Sequence, residues 1–332
     1  MKTIIFEVEQ WERPTFNQLN GEHELEFVEQ PLNPDNASQY ADADIISTFI
    51  YSDLSADVLQ NFSNLKLIAT RSTGFDHIET DYCQKHKIKI CNVPTYGENT
   101  VAEHVFALLL SISHKLTEAV DRTRKGDFSL IGLRGFDLRG KTLGVIGTGN
   151  IGQCVIEIAK GFRMEVRAFD VKPDQEIASR LGFCYGDIKE VLSTSDIITL
   201  HVPYNKKTHH LLSTEEFDLM KDGVVLINTS RGSIIDIQAM LAGLAEGKVA
   251  AAGLDVLPEE PVMREEAELL RSFYHKQHNL ETLLADHILL RLRNVIITPH
   301  SAFNTREAVE RIAQTTVDNI IKFAQGEPQN LC

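Results

Sequence analysis

Side chains that can hold an acid and move a proton sit just beyond apolar runs in the second half of the chain. Arg231 follows GVVLINTS (223–230), Glu259 and Glu260 follow VAAAGLDVLP (249–258), and His300 follows NVIITP (294–299). A guanidinium presents a planar fork that takes a carboxylate in two hydrogen bonds. An imidazole exchanges a proton near neutral pH, and a neighbouring carboxylate stabilises its charged form. Anchor, acid and orienting carboxylate are the groups that reduction of a 2-keto acid by hydride requires. The spacing alone leaves open which glutamate would serve.

A second cluster indicates where the hydride would come from. GTGNIG (147–152) directly follows the apolar run KTLGVI (141–146) and opens the helical pattern QCVIEIAKGF (153–162). In that setting Gly147 permits a tight turn, Gly149 admits a pyrophosphate to the backbone, and Gly152 allows close helix-to-strand packing. The amides of Asn150, Ile151 and Gly152 then face the anion at the helix N-terminus. Asp170 ends the next apolar run, where a carboxylate accepts hydrogen bonds from ribose and repels a 2′-phosphate, so NAD is expected rather than NADP.

These residues need a scaffold of parallel strands with ligands at the carboxyl ends. Apolar runs at 3–6, 44–50, 65–70 and 88–93 form one series. A longer series follows at 141–147, 164–170, 196–202, 223–228, 249–255 and 294–298. Alternation with helical stretches predicts an α/β protein with two doubly wound parallel sheets. The Pro-free stretch 98–126 between the two series reads as one long helix ending at Gly126. A last helix is expected from about residue 305 to Gly326, capped by Asn304 with Glu307 three residues on. The charged segment 261–293 reads as a partly helical insertion, with 264–272 as a solvated amphipathic helix.

Composition narrows the partners. The chain has 332 residues, with 33 Lys and Arg against 47 Asp and Glu, a net charge of −14. That field disfavours nucleic acid and requires local cations to hold an anionic substrate, Arg71 and Lys66 being candidates besides Arg231. Five scattered cysteines without a CxxC suggest neither a disulfide framework nor a zinc site. Adjacent His209 and His210 point apart, so no metal is expected there. The opening MKTIIFEVE is too short an apolar run for a signal peptide or membrane span, and a cytoplasmic protein is expected.

In order along the chain, RSTGFDHI (71–78), VPTYGENTVAEH (93–104), LGVIGTGNIG (143–152), LHVPY (200–204), LINTSRG (226–232), GLDVLPEEP (253–261) and ITPHSAF (297–303) resemble the motifs of the D-isomer-specific 2-hydroxyacid dehydrogenase family, especially its lactate branch. The resemblance implies Arg231 as the substrate anchor, His300 as acid/base and Glu260, immediately before a proline, as its carboxylate partner. It implies substrate binding by the amides of Thr73 and Gly74, and contacts from Asp255 near the nicotinamide and from His201 and Pro203 on the adenosine side. Aromatic Tyr96, Phe303 and Tyr51 would narrow the substrate pocket toward a methyl group, which favours pyruvate and D-lactate.

The same resemblance implies a Rossmann NAD domain at 100–299 and a flavodoxin-like substrate domain at 1–99 and 300–332, with a cleft between them and a homodimer formed largely through the NAD domain. Hydroxypyruvate, glyoxylate or a branched 2-keto acid are alternative substrates. An NAD-sensing corepressor on the same fold is the alternative of another class. The remaining histidines, His104 among them, enter no pattern that points to chemistry.

Overall fold

A computed structural model describes residues 1–75, 77–258 and 280–332. The chain divides into two compact units, Met1–Gly97 with Asn304–Cys332, and Glu98–Phe303. Residues 300–303, which the sequence reading assigns to the first domain, belong to the second. Hydrogen bonds to Asp255, described below, tie them there.

In the first unit five parallel strands, β1 (Lys2–Ile5), β2 (Glu24–Phe27), β3 (Ile45–Thr48), β4 (Leu67–Thr70) and β5 (Lys89–Cys91), lie in the order β2-β1-β3-β4-β5. Strand alternation splits their apolar residues between two cores. Ile4, Ile46, Ile68 and Ile90 face one. Ile5, Ile45, Leu67, Ala69 and Cys91 face the other, where Ala313, Val317 and Ile320 of the helix Arg306–Ala324 cover them. That helix is capped by Thr305, whose hydroxyl accepts the Ala308 amide, and not by Asn304.

The second unit holds seven parallel strands: β6 (Thr142–Ile146), β7 (Glu165–Phe169), β8 (Cys184–Tyr185), β9 (Ile197–Leu200), β10 (Val224–Asn228), β11 (Val249–Leu254) and β12 (Val295–Ile297). Their order is β12-β11-β10-β9-β6-β7-β8. The direction of winding reverses between β6 and β9, and between β1 and β3 in the first sheet. These are the switch points where open α/β sheets take ligands beyond the strand carboxyl ends. Strands β2 and β8 escaped the sequence reading. One carries alternating glutamates and the other has two residues, both are sheet edges, and neither shows an apolar run.

The stretch 98–126 is two helices, Glu98–Ser113 and Leu116–Arg124. The break has a physical cause. The Ser113 carbonyl accepts the Phe136 amide at 2.9 Å, and a side chain on Gly135 would lie 1.9 Å from that carbonyl. The returning segment thus takes the acceptor that a continuing helix would use, and Lys115 turns left-handed at φ +49°.

Arg71 and Lys66 do not await a ligand. Lys66 pairs with Asp44 at 2.7 Å. Arg71 is buried, its guanidinium 3.4 Å from buried Glu12 and donating to the carbonyls of Phe6 at 2.8 Å and Glu7 at 2.7 Å. Those bonds hold Glu7 at φ +53°, from where its carboxylate accepts the amides of Phe49 and Tyr51 and the Ser52 hydroxyl. Breaking a buried ion pair strands the remaining charge. Arg71→Leu is expected to destabilise the protein by about 3–5 kcal/mol. Adding Glu12→Leu should restore part of the loss; urea denaturation of the two variants measures both.

Candidate active site

The glycine loop has the shape a pyrophosphate requires. Gly147 leaves β6 at φ +98°, and a β-carbon there would meet the His201 carbonyl at 2.6 Å. A β-carbon on Gly152 would lie 2.1 Å from the Gly147 carbonyl, so the loop and the helix Asn150–Gly161 pack backbone to backbone. Gly149 is the N-cap, has open space beside it and supplies no capping side chain. The amides of Asn150, Ile151 and Gly152 in the first helical turn are thereby left for an anion.

Asp170, at the carboxyl end of β7, accepts the Thr148 amide at 2.7 Å, the Thr148 hydroxyl at 3.0 Å and the Lys172 amide at 2.9 Å. Burial works against its ionisation, but these hydrogen bonds outweigh it and hold the carboxyl below the usual range. Tyr185, 2.8 Å from the Thr148 hydroxyl, extends the network. Neither Thr148 nor Tyr185 had a sequence signal beyond adjacency to the glycines or an edge strand. His201 follows β9 with its ring 2.9 Å from the Thr199 hydroxyl, and desolvation pushes its pKa down to about 3, so it is neutral at neutral pH. Pro203 is exposed, its carbonyl accepting the Thr208 hydroxyl.

Arg231 leaves the end of β10 on a turn built by buried Asn228. Asn228 accepts the Ser230 amide and hydroxyl and donates to the Arg231 carbonyl at 2.9 Å. A β-carbon on Gly232 would stand 2.2 Å from Leu257 and 2.4 Å from Pro258. The glycine therefore lets the chain leading to Glu259 and Glu260 lie against the arginine turn. Both glutamates are themselves outside the described residues, as are 264–272.

Asp255 is fully buried just past β11. It accepts the Thr298 hydroxyl at 2.5 Å and the amides of Ser301 and Ala302 at 2.8 Å each, and its own amide donates to the Asn228 carbonyl. Burial would raise its pKa, but the His104 ring 3.4 Å from Oδ1 and these bonds keep it low, hence ionised. Among the described residues these bonds fill three of roughly four acceptor positions, leaving one on Oδ2. His300 sits inside the clasped loop at φ +51°, its amide donating to the Thr298 carbonyl at 2.9 Å. One strand end thus anchors both the arginine turn and the histidine loop.

In the first unit the loop after β4 is stitched to β5. Thr73 donates its hydroxyl to the Val93 carbonyl at 2.7 Å, Asn92 donates to the Thr73 carbonyl, and Ser72 donates to the Gly74 carbonyl. Tyr51 is 51% exposed beside Phe49, and the Tyr96 carbonyl accepts the Arg311 guanidinium. Phe303 lies in the second unit. The rings of His209 and His210 do not point apart as expected but stack on each other, 3.9 Å between centroids.

A glycine turn at a helix start, an ionised carboxylate at the next strand end, and an arginine turn and a histidine loop tied to one buried aspartate are the arrangement expected of a nicotinamide-dependent dehydrogenase of small acids. Residues 106–302 match the D-isomer specific 2-hydroxyacid dehydrogenase, NAD binding domain. The D-lactate dehydrogenase of Escherichia coli is 35% identical over 98% of each chain, and the glyoxylate reductase of Thermococcus litoralis 33% identical over all of this chain and 97% of its own. The D-lactate dehydrogenase structure from Aquifex aeolicus complexed with NAD and lactic acid superposes with a TM-score of 0.86 at 36% identity, covering 98% of this chain and 96% of that one. The chain belongs to the D-isomer-specific 2-hydroxyacid dehydrogenase family. It is an NAD-dependent oxidoreductase of D-2-hydroxy acids.

A hydrogen bond to a charged group contributes about 2 kcal/mol, roughly thirtyfold in affinity. Asp170→Ser is expected to weaken NADH binding by about that factor and to narrow the preference over NADPH. Fluorescence titration with both cofactors checks it, and an unchanged NADH affinity would remove Asp170 from the ribose site.

Proposed function

We propose that this enzyme reduces pyruvate to D-lactate, with Arg231 gripping the substrate carboxylate, His300 protonating the carbonyl oxygen and Glu260 holding the imidazolium. The observation that carries this reading is the joint anchoring of the Arg231 turn and the His300 loop by Asn228 and Asp255. NADH supplies the hydride. Arg231 fixes the keto acid through paired hydrogen bonds, so the carbonyl oxygen presents itself to one donor. His300 gives that oxygen a proton as its negative charge develops, and takes it back in the reverse direction. The amides of Thr73 and Gly74 would share the carboxylate, and the oxygen left on Asp255 would take the cofactor amide.

Tyr51, Tyr96 and Phe303 are proposed for the substrate's methyl end, and the D-lactate dehydrogenases among the relatives support lactate as the substrate. Glyoxylate is the second reading, because a glyoxylate reductase stands at nearly the same identity. Pocket shape discriminates by about 1–3 kcal/mol per methylene, so the rates should fall in a graded series. No described helix is long and apolar enough to cross a membrane. The five cysteines are free, consistent with a reducing cytoplasm.

A second copy of the chain is the proposed partner. The segment after the helix Leu116–Arg124 exposes Phe128 at 79%, and Leu130 and Ile131 at 83% each, next to Leu116 and Val120. Beside it a cavity of about 760 Å³ has a mixed lining, with Ile112, Phe136, Ile197 and Val224 among charged groups such as Lys115, Arg122 and Asp222. Apolar side chains exposed together mark a contact surface. Phe128→Ser with Ile131→Asp is expected to convert a dimer to a monomer in analytical ultracentrifugation.

Spectrophotometric NADH oxidation with pyruvate, hydroxypyruvate, glyoxylate and 2-ketoisocaproate tests the substrate, with pyruvate expected to give the highest kcat/KM. His300→Gln should lower kcat by about a hundredfold to ten-thousandfold while NADH still binds. Tight NADH binding without turnover of any of the four acids would instead support a sensor.

A further inference from the structure

His104, the last residue of the stretch VPTYGENTVAEH, lies in the second turn of the helix Glu98–Ser113. Its Nε2 is 3.0 Å from the Thr298 hydroxyl and 3.4 Å from Asp255 Oδ1. The direction of these bonds follows from counting protons. An ionised carboxylate only accepts, and a threonine hydroxyl has one hydrogen to give. Thr298 donates that hydrogen to Asp255. The remaining role for its oxygen toward His104 is acceptor, so His104 Nε2 carries the hydrogen. The chain of donors runs from His104 to Thr298 to Asp255.

The placement of His104 is a consequence of packing. A β-carbon on Gly253 of β11 would lie 3.0 Å from the Leu108 β-carbon, so the missing side chain on the strand lets Leu108 of the helix pack directly against its backbone. His104 is four residues before Leu108, about 6 Å along the helix axis. Asp255 is two residues after Gly253, about 6–7 Å along the strand. The two offsets match, which brings the imidazole level with the strand end.

Around that strand end the Asp255 carboxylate holds Thr298 on one side of His300 and the Ser301 and Ala302 amides on the other. His300 between them is left-handed, a conformation that is unfavourable for a non-glycine residue and persists where its surroundings enforce it. We infer that His104 is a positioning residue for the acid/base loop, locking the Thr298 hydroxyl onto Asp255 so that the loop carrying His300 keeps one geometry. It touches neither substrate nor cofactor in this role. The inference rests on the assignment of His300 as proton donor.

Glutamine can place an amide N–H near the position of Nε2, whereas leucine fills the space without a donor. His104→Leu is expected to lower kcat by about tenfold to a hundredfold, the scale of a misplaced reacting group, with the NADH dissociation constant within about twofold of the parent. His104→Gln is expected to recover most of the lost kcat. Thr298→Val should reproduce the leucine effect, and Thr298→Ser should not, which keeps the test decisive if the His104→Leu protein does not fold. Full kcat in His104→Leu or Thr298→Val overturns the inference. So does a glutamine variant as slow as the leucine variant with an equal loss of thermal stability, since that is the pattern of a residue needed for packing alone. Failure of the underlying assignment is separable, because it would show as turnover persisting in His300→Gln.

Discussion

A buried, ionised carboxylate is tolerated when hydrogen bonds replace its lost water, and Asp255 meets that condition with donors from three directions. The requirement is mutual. Asp255 needs the amides of Ser301 and Ala302, and the loop that offers them needs a fixed acceptor to hold His300 in a left-handed conformation. Through its own amide Asp255 also meets Asn228, whose side chain shapes the Arg231 turn. The Arg231 turn and the His300 loop, separated by many residues in the chain, thereby share one support, as the anchor and proton donor proposed for them would require.

Close backbone approaches set the distances in this unit. Gly147 and Gly152 bring the cofactor loop onto its helix, Gly232 brings the 257–258 segment onto the arginine turn, and Gly253 brings the helix Glu98–Ser113 onto β11. In each case a side chain would occupy space already filled by neighbouring atoms. At Gly147, Gly152 and Gly232 the nearest atoms are main-chain atoms, which tolerate little displacement, whereas at Gly253 they are the side chains of Ile227, Leu108 and Ile112.

Charge is handled locally in a chain of net −14. Arg71, a cation that composition alone could offer to a substrate, is spent on Glu12 and two carbonyls at the end of β1, and stabilises the loop bearing Tyr51 through Glu7. Anion binding is proposed instead for backbone amides at the start of the helix Asn150–Gly161 and for Arg231, which follow the carboxyl ends of β6 and β10. A strongly acidic surface and an anion-binding interior are compatible because screening by water and salt confines the surface field.

Much of this was legible in the sequence. The buried strands announce themselves as apolar runs, since a strand covered on both faces has no polar side. The glycine loop and Asp170 are recognisable because their chemistry demands a fixed spacing within one βαβ unit. Arg231, Glu260 and His300 could be named through ordered motifs, although Glu260 lies outside the described residues. What tertiary structure decided were features with no local pattern: the break at Ser113, the burial of Arg71, the edge strands β2 and β8, and the link from His104 through Thr298 to Asp255. Each depends on a partner distant in sequence. The sequence by itself determined which groups could bind the cofactor and move a proton, because residue type and spacing limit chemistry; the fold decided which side chains hold those groups still, because that depends on which surfaces meet.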